Sequence, residues 1–461
     1  MRCQGRQELR VGGPRPDGAA VAERELLSGI VNRALASLRG ERLVTRASRY
    51  DGTHWHWHDG ARILSLDLPA DGRVLVVGAG KAAANLALGL EQVLGDRIDD
   101  GLIPVKDGHR QALRRVRQIE AGHPLPDRRG LAGTRQIRAL LAGLRPQDRV
   151  FVVITGGASS LLVAPLAGLG LEDKSELTCR LLHSSASISE INAVRCALSQ
   201  VKGGGLAQWL SPAKAVALVV SDVEGDDLGL VGSGPATNSR GRAEPPLAIL
   251  ARHGLLESLP PQLAEALSQP VSLLPATAEA LPAIMVANSA ALVEAVISEA
   301  RASGLQVEAP NLEMFGDTHA EARKFCARLS ELARSGVSAP RLLVAAGETT
   351  LTVSGTGLGG RNQEFALVAA RELAGHKGCA VLAVGSDGTD GPTDAAGAFI
   401  AGATWARAQA LGLNAAAALA NNDSHNLFAR LGDLHLTGPT GTNVMDIVIG
   451  LVQPARSPRN P

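Results

Sequence analysis

Short apolar runs that end in glycine, serine or aspartate recur along this chain and alternate with stretches of helical periodicity. Arg73-Val-Leu-Val-Val-Gly78, Gly101-Leu-Ile-Pro-Val105, Val150-Phe-Val-Val-Ile154 and Ala215-Val-Ala-Leu-Val-Val220 lead the series. Their length and β-branched content predict buried strands, and Lys81 to Leu94 predicts the helix after the first of them. Strands alternating with helices imply an α/β fold of α/β/α layers with largely parallel sheets. In open sheets of that kind ligands bind beyond the carboxyl ends of the strands. The polar loops at those ends are therefore the candidate functional residues.

At 461 residues the chain exceeds one ordinary core, so two or three domains are expected. Residues 1–20 read as a disordered or mis-started tail, because four arginines precede no apolar segment of the secretory kind. Residues 21–282 read as a first α/β domain. Its end, from Gly241, is a helical connector punctuated by Pro245, Pro246, Pro260, Pro261, Pro270, Pro275 and Pro282. A fresh strand–helix–strand pattern starts at Ala283-Ile-Met-Val-Ala287. It continues through strand candidates at 342–346 and 380–384, giving a second α/β domain over 283–453. Residues 454–461 read as a frayed tail.

Lys+Arg 46 against Asp+Glu 45 offers no whole-molecule attraction to nucleic acid or to an acidic membrane. Aromatics at 2% leave little for stacking bases. Apolar runs fall short of the ~18 residues that a membrane span needs. Cys3, Cys179, Cys196, Cys326 and Cys379 are odd in number and form no CxxC, which argues for reduced thiols in the cytoplasm. The alternating His54, His56 and His58 put three imidazoles on one strand face, read here as an exposed edge strand rather than a metal site.

Several loops carry the residue types of anion recognition. In Gly359-Gly360-Arg361-Asn362-Gln363-Glu364 a permanent cation follows glycines whose amides can approach an anion closely. Gly78-Ala79-Gly80-Lys81 joins a strand to a helix, where a lysine opposes the helix dipole unless an anion binds. Gly156, Gly157 and Ser159 repeat the pattern after another strand, and His123 sits in a proline-rich turn. Arg195 and Lys202, seven apart, share a helix face and can aim at one anion. Asp222 and Asp226 follow one strand and Asp387, Asp390 and Asp394 another, as carboxylates that suit Mg²⁺ do. The second cluster fails the calcium-loop pattern, with Ala398 where the closing glutamate belongs.

Together these blocks resemble the glycerate 2-kinase family, also called the MOFRL family, whose members have also been labelled hydroxypyruvate reductases. The resemblance spans about residues 73–450. Its carriers are Gly78-Ala-Gly-Lys-Ala-Ala-Ala84, Ala121-Gly-His-Pro-Leu-Pro-Asp127, Glu190-Ile-Asn-Ala-Val-Arg195, Lys202-Gly-Gly, Ser221-Asp222 with Gly225-Asp-Asp227, Gly347-Glu-Thr-Thr350, the Arg361 loop, Asp387-Gly-Thr-Asp-Gly-Pro-Thr-Asp394, Asn421-Asn-Asp-Ser424 and Thr437-Gly-Pro-Thr-Gly-Thr-Asn443. The chain departs from the family pattern at Thr155-Gly-Gly-Ala-Ser-Ser160, at Glu224, at Ser386 and at an added Ala236.

The resemblance implies a Rossmann-like first domain, an active site in an interdomain cleft, and transfer of phosphate from ATP to the C2 hydroxyl of glycerate with Mg²⁺. It gives Lys81 and Arg361 to phosphoryl transfer and the glycine loops, with Gly78, Gly80, Gly359 and Gly360, to the nucleotide phosphates. Asp222, Asp226 or Asp387 would hold the metal, Asp390 or Asp394 would take the hydroxyl proton, and Arg195 or Lys202 would pair with the glycerate carboxylate. A homodimer is compatible with this reading. Two alternatives stand beside it: an NAD(P)H-dependent hydroxypyruvate reductase and a non-catalytic glycerate-binding protein.

Overall fold

The computed structural model describes residues 18–60, 62–237, 244–268 and 281–454. Cys3, most of the N-terminal tail, Pro270, Pro275 and the residues after Pro454 lie outside them. Residues 18–20, expected within the tail, open the helix Gly18–Ser37 instead. The described residues divide into two compact units. Ala36–Ala291 and Pro439–Val444 form the first; those up to Leu35, Leu292–Gly438 and those from Met445 onward form the second.

The first unit begins with a three-stranded antiparallel sheet of β1 (Ser48–Tyr50), β2 (His54–His58) and β3 (Ile63–Asp67). β2 is its middle strand, which corrects the edge-strand expectation. Alternation along β2 exposes His54 and His58 and buries Trp55 and Trp57 on the other face. Trp55 meets Phe151 edge-on at 5.1 Å between ring centres. That contact is what a strand of alternating histidine and tryptophan achieves here.

The main sheet comprises β4 (Val74–Ala79), β5 (Asp100–Lys106), β6 (Val116–Ala121), β7 (Arg149–Thr155), β8 (Lys214–Val220) and β9 (Ala283–Ala287). Its order is β6-β5-β4-β7-β8-β9 and every adjacent pair is parallel. Every residue of β4 and β7 is buried, as strands covered by helices on both faces must be. The strand order reverses between β4 and β7, which opens a crevice beyond their carboxyl ends. β9 begins the stretch that the sequence pattern gives to the second domain, yet it hydrogen-bonds to β8 and buries Ile284 and Ala287. The helices Leu171–Leu182, Ile188–Ala197, Pro246–Arg252 and Pro261–Ser268 share a separate apolar cluster. Pro246 and Pro261 stand at helix starts, where a missing N–H costs nothing.

The second unit is built on β10 (Gln306–Asp317), β11 (Arg341–Thr350), β12 (Cys379–Gly385), β13 (Gly397–Ala401), β14 (Leu434–His435) and β15 (Asp446–Val452). The order is β10-β11-β15-β12-β13-β14. β10 and β11 are parallel; the other neighbours are antiparallel, because β15 returns between β11 and β12. The expectation of largely parallel sheets therefore holds for the first unit, and the second is mixed. The helices Thr318–Arg334 and Arg361–Glu372 pack together through Phe325 and Phe365 at 5.9 Å.

The helix Gly18–Ser37 also packs in this unit, and Ser28 and Asn32 bracket the imidazole of His435. Burial, aided by Arg24, pushes the His435 pKa down to about 4. Between pH 6.5 and 4 the unfolded chain binds a proton there that the folded chain refuses, so stability falls as pH falls through that window. The stability advantage of wild type over His435→Asn is expected to shrink from pH 6.5 to 4 in urea titrations; a constant difference would contradict this. Trp55→Ala is expected to cost about 3–5 kcal/mol in the same assay.

Candidate active site

Glycines bring the β4 and β7 loops together. A Cβ at Gly78 would lie 1.9 Å from the Val153 carbonyl oxygen, and one at Gly80 would lie 2.1 Å from Thr155 Oγ1. Both glycines have positive φ. Their first role is thus close backbone approach to β7. The Lys81 amide then donates to the Gly156 carbonyl at 2.9 Å, and the Ala82 amide to Thr155 Oγ1 at 3.0 Å. A Cβ on Gly157 would touch both Lys81 Cγ and His123 Cδ2 at 3.1 Å, so these three predicted residues do come together. Buried His109 contacts the Lys81 carbonyl through Nδ1 at 3.0 Å.

Farther along the β7 loop, Ser159 is a hub. Its hydroxyl contacts Ser233 Oγ at 2.9 Å and receives hydrogen bonds from Lys202 Nζ at 2.8 Å and from Arg195 Nη2. Lys202 also donates to the Ser159 carbonyl. Arg195 and Lys202 therefore converge, but not through a shared helix face: Lys202 lies beyond the helix Ile188–Ala197 that carries Arg195, which corrects that expectation. Ser187 and Glu190 form the capping box that starts that helix, which explains Glu190 in structural terms. Burial lowers the pKa of Arg195, and burial with Arg195 and Lys174 nearby lowers that of Lys202 well below its ordinary value. Among the described residues the side-chain partner of Arg195 is a hydroxyl, not a carboxylate. An anion placed here would restore the charge that burial disfavours.

Beyond β8, Asp222 accepts from Asn443 Nδ2 at 2.8 Å. Both press on Gly156, where a Cβ would lie 1.8 Å from Asn443 Nδ2 and from Asp222 Oδ2. Asp226 has φ of 55° and accepts from Asn288 through Oδ2 at 2.6 Å. Among the described residues its buried Oδ1 has no hydrogen-bond partner, an arrangement that a cation would satisfy. Among the described residues no three histidine, cysteine or acidic side chains converge as a metal cage. Mg²⁺ needs as few as one or two carboxylates beside phosphate oxygens and water, so the chemistry of the Asp226 carboxylate is compatible with that ion without a cage. Asp387 belongs to the second unit, and its Oδ1 accepts the amide and hydroxyl of Thr389, as a turn residue does.

In the second unit Arg361 opens the helix Arg361–Glu372. Its guanidinium forks onto Asp446, Nε at 2.5 Å and Nη2 at 3.1 Å, and its Nη1 donates to Glu348. Burial opposes the charge, but Asp446 and Glu348 outweigh it and raise the arginine's pKa. Three of its five N–H donors are thereby used. Asp390 accepts from the Asn362 amide at 3.0 Å, the Gln363 amide at 2.8 Å and Gln363 Nε2 at 3.0 Å. It holds the start of the Arg361 helix, and burial pushes its pKa up to about 6. Its oxygens are closed in by donors, whereas Asp394 is exposed, with His425 at 3.7 Å. Gly359 and Gly360 leave room for Ser424 Oγ and for the Asp390 carboxyl, which a Cβ would meet at 2.3 Å in each case.

Sequence reasoning missed Asp446 and Lys174, and gave no individual role to Glu348, Asn443 or Ser233, the first two of which stand in its quoted motifs. Asp446 had one visible signal, since it is an acid opening the apolar run Ile447-Val-Ile449. Lys174 is buried and donates to the Arg195 carbonyl at 3.3 Å, but nothing near it in sequence marks it.

Two family models match the chain: a domain of unknown function, DUF4147, over residues 26–268, and the MOFRL family over residues 341–446. The D-glycerate 2-kinase of Thermotoga maritima is 39% identical over 387 residues, covering 82% of this chain and 91% of that protein. The chain belongs to the glycerate 2-kinase (MOFRL) family. A family relative from Agrobacterium vitis, named a putative hydroxypyruvate reductase, is 38% identical over 380 residues, covering 82% of this chain and 98% of its own. The crystal structure of a Thermotoga maritima glycerate kinase superposes with a TM-score of 0.77 at 34% identity, covering 94% of this chain and all of that one.

Gly156→Ala would drive a methyl group into the Asp222–Asn443 hydrogen bond. Turnover is expected to fall roughly 10²-fold, the cost of an ångström-scale displacement in a positioned site. Circular dichroism should stay unchanged; normal turnover would show that this bond does not position the site.

Proposed function

We propose that this chain phosphorylates glycerate at its C2 hydroxyl with ATP as donor. The match to a D-glycerate 2-kinase over nearly that protein's full length supports the reaction. The observation in the molecule that carries it is the convergence of Arg195 and Lys202 on Ser159, beside the crevice of a doubly wound sheet. Phosphoryl transfer is largely positioning and charge neutralisation, and these are what cations buried at a switch point provide.

Arg195 takes the glycerate carboxylate. Lys202 and the amides of the Gly156–Gly157 loop hold phosphate oxygens, and Lys81 neutralises the transferring group. Arg361, held by Glu348 and Asp446, serves phosphoryl transfer as the fixed cation of the second unit. Mg²⁺ bound with ATP supplies charge neutralisation among the phosphate oxygens, and Asp226 would hold it. His123, beside Lys81, bounds the site.

The reductase reading asks for an acid at the end of β5 to bind a nicotinamide ribose. Asp107 stands there, but Arg129 already grips it with two hydrogen bonds of 2.7 and 2.8 Å. That engagement argues against the dinucleotide.

Coupled ADP release with D-glycerate and Mg-ATP tests the proposal, and phosphorus NMR identifies the product. Phosphate on C3, or no ADP formed, would refute it; NADPH oxidation by hydroxypyruvate would favour the reductase. Arg361→Ala is expected to lower kcat roughly 10²–10³-fold. Arg195→Ala should raise KM for glycerate about tenfold or more, and KM for ATP far less.

A further inference from the structure

The helix Arg128–Leu141 forms one wall of a cavity of about 530 Å³ that contains none of the residues assigned to the reaction. The segment from Ala164 to Glu172 forms the opposite wall, and Gln200 and Trp209 complete it. Arg128, Arg135 and Arg138 line this cavity against one carboxylate, Glu172. Arg128 meets that glutamate at 3.3 Å. Arg138 donates to Gln200 Oε1 at 2.7 Å and lies 5.5 Å from the Trp209 ring centre. Arg135 is exposed and has no ion-pair or hydrogen-bond partner among the described residues.

The charge arrangement is unfavourable as it stands. The helix sequence, Arg128-Arg-Gly-Leu-Ala-Gly-Thr-Arg-Gln-Ile-Arg-Ala-Leu-Leu141, contains no acid. Arg135 and Arg138 are one turn apart on one face, where like charges repel. Arg129, on the same helix, is drawn away by Asp107 and Asp127 and so leaves the cavity to the other three. A ligand with two or more negative charges would remove the repulsion. Guanidinium forks match phosphate oxygens two at a time, and a volume of this size admits a small metabolite.

We infer that this cavity is a second anion site that binds a compact phosphate-bearing metabolite, independently of the phosphorylation reaction. Arg135 and Arg138 grip the phosphate, while the Trp209 face and the apolar wall at Leu166 and Leu169 receive the carbon skeleton. A free polycarboxylate has the same charge but not the tetrahedral oxygens, and it is expected to bind less well.

Equilibrium dialysis with radiolabelled pyrophosphate tests the inference on the full chain. Wild type is expected to show a saturable site that persists in Lys202→Ala, which removes the cation assigned to the nucleotide phosphates. The same site should weaken about tenfold or more in Arg135→Ala/Arg138→Ala. Arg135→Ala by itself, a change at an exposed side chain, should weaken binding with no change in Tm, which separates the effect from misfolding. Excess citrate should displace less than excess unlabelled pyrophosphate. No saturable binding, retention in the double variant, loss in Lys202→Ala, or equal displacement by citrate would each overturn the inference. None of these readouts depends on glycerate turnover, so failure here and failure of the proposed reaction remain distinct.

Discussion

The first unit depends on how closely β4 runs beside β7. Backbone contact at Gly78 and Gly80 leaves no room for a side chain, and the strand order turns around at that seam. Close contact puts the Lys81 loop against the Gly156 carbonyl. From there the β7 loop runs on to Ser159, where the buried cations gather. A larger residue at either glycine would separate the strands and move every donor that follows. Geometry of the anion site thus begins as a main-chain packing constraint, with side-chain chemistry laid over it.

The second unit solves a different problem, which is to keep a long cation still while it remains able to bind. Arg361 lies at the first position of its helix, where a positive charge is disfavoured by the helix dipole. Glu348 and Asp446 offset that, and each comes from a different strand of the mixed sheet. Their registration is set by β15 running between β11 and β12, which places Asp446 opposite both Gly347 and Gly385. Asp390 then fixes the helix start from beneath. The mixed strand order of this sheet is therefore tied to the arginine's immobility.

Much of this was legible because it is local. Strand runs ending in glycine or serine announce themselves within six or seven residues, and the loops that follow carry their cations in plain view. What stayed hidden depends on who lies beside whom. Nothing in Ala283–Ala287 says that it closes the first sheet rather than opening the second. Likewise, alternation in His54–His58 marks one face as polar without saying that two strands flank it. The clamp on Arg361 comes from residues 13 and 85 positions away, and Asn443 reaches Asp222 across 221. Asp390 was seen as an acid in a polar loop; its part in holding a helix start needs the neighbouring amides to be known.

The path of the chain has a practical consequence. Pro439–Val444 belongs to the first unit although its flanks belong to the second, and the helix Gly18–Ser37 lies almost wholly in the second although the residues after it build the first. Neither unit is therefore a contiguous piece of gene. A recombinant fragment cut after Ala291 would lack Asn443 and leave Asp222 without its amide. The complementary fragment would lose the helix that covers His435. Dissecting this protein calls for circular permutation or internal linkers instead of simple truncation.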